Sequence, residues 1–195
     1  MLVTISIFVT LIFGVATILN DIFVNSSQEL SSMSNIDQAR SALSVFTNEI
    51  RNATTASNGS YPLNQASSSQ IIFYSNFRTA NGAVERIRYY VSGNTLYKGT
   101  VLPSGSPLAY NLSSESVSLV ATGISNGSTP LFYYYDGSYD GSAGANALVQ
   151  PVNINQVRFI KMNLTVLNRI TLKDNSTFSI SSGAAIRSVK DNLGN

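Results

Sequence analysis

MLVTISIFVTLIFGVATILN, residues 1–20, holds no ionisable side chain; Asp21 is the first, and apolar character resumes through Ile22, Phe23 and Val24. An α-helix rises about 1.5 Å per residue, so a run of this length covers roughly 30–36 Å, the thickness of a bilayer's hydrocarbon layer. The hydroxyls at Thr4, Ser6, Thr10 and Thr17 are tolerable there because each can bond back to a carbonyl of the preceding turn. Three readings compete for this run. A cleaved signal peptide would want a basic start, a shorter apolar core and a small-x-small site, none of which the run has. A soluble core helix rarely opens with so long an uncharged stretch. The favoured reading is a helix for lipid or for a filament core, with Leu2, Ile5, Phe8, Ile12, Gly14, Val15 and Leu19 as its contact residues. No basic residue flanks it to fix orientation by the positive-inside rule.

Working outward, the helical pattern continues. Ile36, Ala39, Leu43, Phe46, Ile50 and Ala53 recur at spacings of three and four, which places them on one stripe. Asp37, Gln38, Arg40, Asn48 and Arg51 fall on other faces. Leu30 and Met33 extend the apolar phase back through the polar NSSQELSSMSN. The expectation is one long helix, loosened at Gly14 and through the serines, and ended by Asn58-Gly59 and Pro62. Its apolar half is assigned to residues 1–24 and its amphipathic half to 25–57. Ile36, Ala39, Leu43, Phe46 and Ile50 pack it on a head formed by residues 58–195.

Past residue 62 the period shortens to two. Expected strands cover 70–77, 84–91, 95–101, 117–122, 130–135, 155–167 and 177–189. In the second, Ile87, Tyr89 and Val91 alternate with Arg86, Arg88 and Tyr90; in the sixth, Ile160, Met162, Leu164 and Val166 form the more apolar face. Ser92-Gly93-Asn94 supplies hairpin chemistry. One helix followed by antiparallel strands implies an α+β fold, with the long helix packed on a sheet.

Composition narrows the chemistry. Only 11% of the 195 residues are charged, against about 25% in ordinary soluble domains. Cys, His and Trp are all absent, which removes thiol nucleophiles, disulfides, Cys/His zinc sites and imidazole acid–base catalysis. No carboxylate pair stands at a suggestive spacing, so no catalytic residue, small-molecule substrate or enzymatic activity is expected. Asp136, Ser138 and Asp140 match the opening of a calcium loop, yet position twelve is Ala147, so the EF-hand assignment fails and a Gly-rich turn is the better reading. No other cofactor is expected. Tyr89, Tyr90, Tyr97, Tyr133, Tyr134, Tyr135 and Tyr139 could form an aromatic binding surface, but strands use such residues as fillers. Arg78, Arg86, Arg88 and Lys98 could form a small basic patch, with Glu85 among them. A net charge of +2 carries no polyanion footprint, so no nucleic-acid partner is expected. Sequons at Asn25, Asn52, Asn58, Asn111, Asn126, Asn163 and Asn175 are acceptor motifs only.

The run 2–19, the helical DQARSALSVFTNEIRNA at 37–53 and ERIRYYVSGNTLYKGT at 85–100 together resemble the type IV pilin and pseudopilin group. FYYYDGSYDGS at 132–142, ALVQPVNINQVRFIKMNLTV at 147–166 and the terminal AAIRSVKDN add the flavour of minor pilins. The closest branch is that of J-type pseudopilins of type II secretion and PilW-like minor pilins. The resemblance implies a basic leader, a cleavage Gly and an assembly Glu just before the apolar run. The sequence opens at Met1 and Leu2, about where that signature would have ended, and neither residue is there to carry its role. It further implies a minor or priming subunit of a pilus or secretion pseudopilus, a single-pass protein with its head outside the cytoplasm, at the cell surface or in a periplasmic filament. Its partners would be the membrane and other subunits, met through the helix. The alternative is a singly anchored extracellular module that binds glycan, DNA or protein.

Overall fold

The computed structural model describes residues 2–77, 79, 82–142, 145–168 and 176–189, with Leu2 described in its backbone alone. One helix, α1 (Leu2–Arg51), runs for 50 residues, about 75 Å. It passes Gly14 and the serines without the expected loosening. Two hydroxyls bond back as expected: Thr10 Oγ1 donates to the Ser6 carbonyl at 2.7 Å and Thr17 Oγ1 to that of Gly14 at 2.8 Å. The helix ends at Arg51, not near residue 57. Ala53 forms a bridge with Ser75, and the Thr54 N–H donates to Tyr74. The Ser75 hydroxyl lies 2.9 Å from the Glu49 carbonyl and 3.2 Å from that of Asn52, satisfying groups a helix end leaves bare. Asn58-Gly59 forms a separate turn with Gly59 at φ +82°, a conformation that favours glycine.

Eight strands follow among the described residues. β1 (Leu63–Ala66), β2 (Gln70–Ser75), β3 (Glu85–Ser92), β4 (Thr95–Val101) and β5 (Ser116–Thr122) form an antiparallel meander in chain order. β6 (Phe132–Tyr135), β7 (Phe159–Leu167) and β8 (Thr177–Ala185) form a second one. β1 is an addition to the expected set; at four residues it is too short to show a period. The strand expected from 155 begins at Phe159 because Ile154–Gln156 makes a 3₁₀ turn, and the one expected to reach 189 stops at Ala185 before a 3₁₀ turn at Arg187–Val189. β2 stops at Ser75, whose hydroxyl is turned onto the helix end.

The sheets are tied together by the segment after β5. Ser125 N–H donates to Thr165, Leu167 N–H to Gly123, and Leu131 and Phe132 N–H both to Ser68. α1 packs against β2, β5, β7 and β8, and so closes the gap between the sheets. The expected stripe is the one that packs: Ala39, Leu43, Phe46, Ile50 and Ala53 are buried and Ile36 is half-buried against them. Phe46 is the hub, its ring centroid 5.4 Å from Tyr89, 5.7 Å from Phe132 and 6.2 Å from Phe73. Ile160, Met162, Leu164 and Val166 are fully buried, as their alternation implied. Leu30 and Met33 are not on the packing face. They are 65% and 56% exposed, while Ser32 is buried, so head contact begins one helical face away from where those residues pointed.

Candidate functional site

Every residue from Val3 to Phe23 is exposed. Ile5, Phe8, Ile12, Gly14, Val15 and Leu19, the contact residues read from sequence, all lie on this bare rod, and Phe8 is 64% exposed; the Leu2 side chain lies outside the described residues. Thirteen large apolar side chains stand here between Val3 and Phe23. Burying such a side chain is worth roughly 1.5–3 kcal/mol, so leaving these in water forgoes about 20 kcal/mol or more. Net folding stability is only about 5–15 kcal/mol. The head does not cover the rod, so shelter must come from outside the fold. By length and composition this helix can cross a membrane, and none of its apolar window is buried in the head.

The head-bound half of α1 carries a buried polar cluster that periodicity did not reveal. Glu49, 1% exposed, lies between Phe46 and Ile50 on α1. Its Oε2 accepts from the Tyr89 hydroxyl at 2.7 Å, and its Oε1 pairs with the Lys98 ammonium. A buried carboxylate stands only when paired and hydrogen-bonded, and both conditions hold here. The sole sequence signal was a carboxylate within an apolar stripe, since its partners are 40 and 49 residues away.

The described cations of the expected basic patch each face a carboxylate, Arg86 and Arg88 sharing one. Arg88 grips Glu115 with two nitrogens, Nε at 2.9 Å, while Arg86 stands 3.7 Å from the same carboxylate. The Glu115 contact raises the Arg88 pKa further above its ordinary value. Gly99 makes this possible: a Cβ there would sit 2.3 Å from a Glu115 oxygen. Lys98 is committed to Glu49, and Arg78 lies outside the described residues.

The tyrosines divide between core and surface. Tyr89 and Tyr134 are fully buried, and the Tyr134 hydroxyl donates to Ser67 at 2.8 Å. Tyr135 stacks on Tyr139 with centroids 4.1 Å apart, and Phe159 meets Tyr139 at a tilt and Tyr135 edge-on. Tyr90 stacks on Tyr97 and carries the Arg88 guanidinium 4.1 Å from its ring centre. Tyr133 is half-buried on β6. These contacts fit the filler reading. In the 136–142 loop, Asp136 Oδ1 accepts from the Ser138 hydroxyl at 2.6 Å and its N–H at 2.9 Å, and Asp140 accepts from the Ser142 N–H at 2.8 Å. These bonds hold both carboxyls below the usual aspartate range. Asp136, Ser138 and Asp140 thus brace their own turns, and among the described residues no three His, Cys, Asp or Glu side chains gather to hold a metal. Of the sequons, Asn126 is engaged at both ends, donating to the Asn163 carbonyl and accepting from the Thr165 N–H. Asn25, Asn58 and Asn111 are exposed, Asn52 and Asn163 half-buried, and Asn175 lies outside the described residues.

No family model matches this chain, and no curated protein matches it.

Proposed function

We propose that the chain is a structural subunit, anchored in a membrane by α1 and assembled with other subunits through the same helix into a type IV pilus or a type II secretion pseudopilus. The carrying observation is the division of one unbroken helix into a wholly exposed apolar half and a half that builds the core of the head. Lipid satisfies the exposed half before assembly. Leaving lipid for a bundle of like helices gains little from hydrophobicity, so packing must favour the bundle, and small residues such as Gly14 and Ala16 permit close approach. A Cβ at Gly14 would meet nothing within the chain, so its bareness is available to a neighbour. The resemblance to minor pilins and J-type pseudopilins supports the same reading.

The chain has no cysteine, so introduced ones report cleanly. Single cysteines at Ile5, Ile12 and Leu19, oxidised in intact cells, are expected to give covalent dimers between rods. Monomers alone at native abundance would overturn assembly and leave a solitary anchor carrying an extracellular binding module.

A further inference from the structure

We infer that successive copies of this chain join head to head by strand addition, the open end of β5 in one copy pairing with the open end of β8 in the next; this rests on the filament reading above. β5 and β8 each end a sheet whose other end is β1 or β6, and each is hydrogen-bonded to a strand on one side only among the described residues. Natural edge strands usually carry a lysine, a proline or another charge that stops a second chain from pairing with them. Neither SVSLVAT of β5 nor TFSISSGAA of β8 contains a charged residue or a proline. Both are unguarded, and neither repels the other.

Each strand is sheltered at one end and bare at the other. On β5, residues 116–119 are exposed, with Val117 at 48% and Leu119 at 57%, whereas Ala121 is buried and the Thr122 N–H is taken by Gln38 at 3.1 Å. On β8, residues 177–179 are exposed, whereas Ala184 is buried and Ser182 shares a hydrogen bond with Thr47.

The running directions fit. Thr122 bonds to Asn35 and Gln38, while Ser118 is in register with Lys98, which reaches Glu49; β5 therefore runs against α1. Phe178 lies beside Arg40 and Ser182 beside Thr47, so β8 runs with α1. Two copies whose rods point the same way, as rods sharing one membrane or one fibre must, present β5 of one antiparallel to β8 of the other. Ser118 and Leu119 at the bare end of β5 line one hollow with Ser41, Ala42 and Val45 of the helix, whereas Phe178 at the bare end of β8 lies beside Arg40, so the two ends stand about one helical turn, roughly 5 Å, apart along the rod. A copy displaced along its rod by that distance brings the two bare ends together. The contact uses a different surface on each copy, and its displacement along the rod keeps it from closing into a ring, so it propagates.

The test uses the full-length chain in intact cells. The double variant Leu119→Cys/Phe178→Cys, oxidised, is expected to give a ladder of covalent dimers, trimers and longer species. Leu119→Cys and Phe178→Cys expressed together as separate chains should give dimers and nothing longer, and either alone should give none. Ile12→Cys is run alongside as the rod reporter. Rod dimers without a ladder overturn the strand pairing and leave the filament reading standing; neither product overturns both. Dimers from Leu119→Cys alone overturn the β5–β8 assignment in favour of a symmetric contact. Ser118→Lys, which restores a guard charge to β5, is expected to lower the Ile12→Cys dimer yield at least fivefold, and an unchanged yield counts against the pairing.

Discussion

The two halves of α1 share one backbone geometry and differ in everything that holds them in place. From Ala39 to Ile50 the helix contributes Phe46 and its neighbours to a closed core, and the head supplies the stabilisation. From Val3 to Phe23 every residue of the helix is exposed. Isolated helices are marginal in water, and most helical stability in proteins comes from packing an apolar face. The upper half obeys that rule within the molecule. The lower half can obey it only with lipid or with other molecules, so the same secondary structure is a fold element at one end and an interaction surface at the other.

Removing residues 2–24 is the largest test of this contrast. The truncated chain is expected to leave the membrane fraction completely and remain folded and monomeric without detergent, whereas the full chain should require detergent. A full-length chain dispersed as single particles in plain buffer would break the comparison. Next, one substitution made in both halves sharpens it. Phe46→Ala should destabilise the detergent-solubilised protein by about 3–5 kcal/mol, as for a large core side chain cut to alanine. Phe8→Ala should change it by less than about 0.5 kcal/mol. Denaturant titration followed by tyrosine fluorescence measures both.

The buried pair at the upper end comes third. Glu49→Gln strands the Lys98 ammonium and is expected to cost about 3 kcal/mol, with part of the loss recovered in Glu49→Gln/Lys98→Met. Gly99→Ala, which drives a Cβ into Glu115, should cost about 1 kcal/mol, and a double-mutant cycle with Arg88 should show the lost coupling. The smallest effect concerns pH. Because the folded-state pKa values of Asp136 and Asp140 lie below the ordinary value, their contribution is present above the unfolded aspartate pKa and is lost as pH falls through the lower folded values. Carboxylate titration by NMR should place both midpoints below those of a peptide carrying the same turn.

Much of this contrast was legible in the sequence because both halves are written in periodicity. An uncharged run and a three-four stripe need no tertiary information, and Ala39, Leu43, Phe46 and Ile50 pack as the spacing implied. Thr95–Val101 matched its expected bounds because Ser92-Gly93-Asn94 fixes one end. What escaped depends on partners distant in the chain. Glu49 is stable inside the stripe only because Tyr89 and Lys98 reach it, and α1 stops at Arg51 because Ser75 binds its terminal carbonyls. The pairing of the basic residues escaped for the same reason: Glu115 lies 27 residues from Arg88 and reaches it across a glycine. Leu30 and Met33 misled because hydrophobicity reports what avoids water, whereas the face a helix buries is set by the shape it meets.

The unbroken course of α1 also has a mechanical meaning. With no joint between the bare end and Phe46, the molecule is a lever whose long arm lies outside the head. A tilt or twist imposed on that arm is carried toward the β-sheets along a single helix, with no hinge between two helices to take it up.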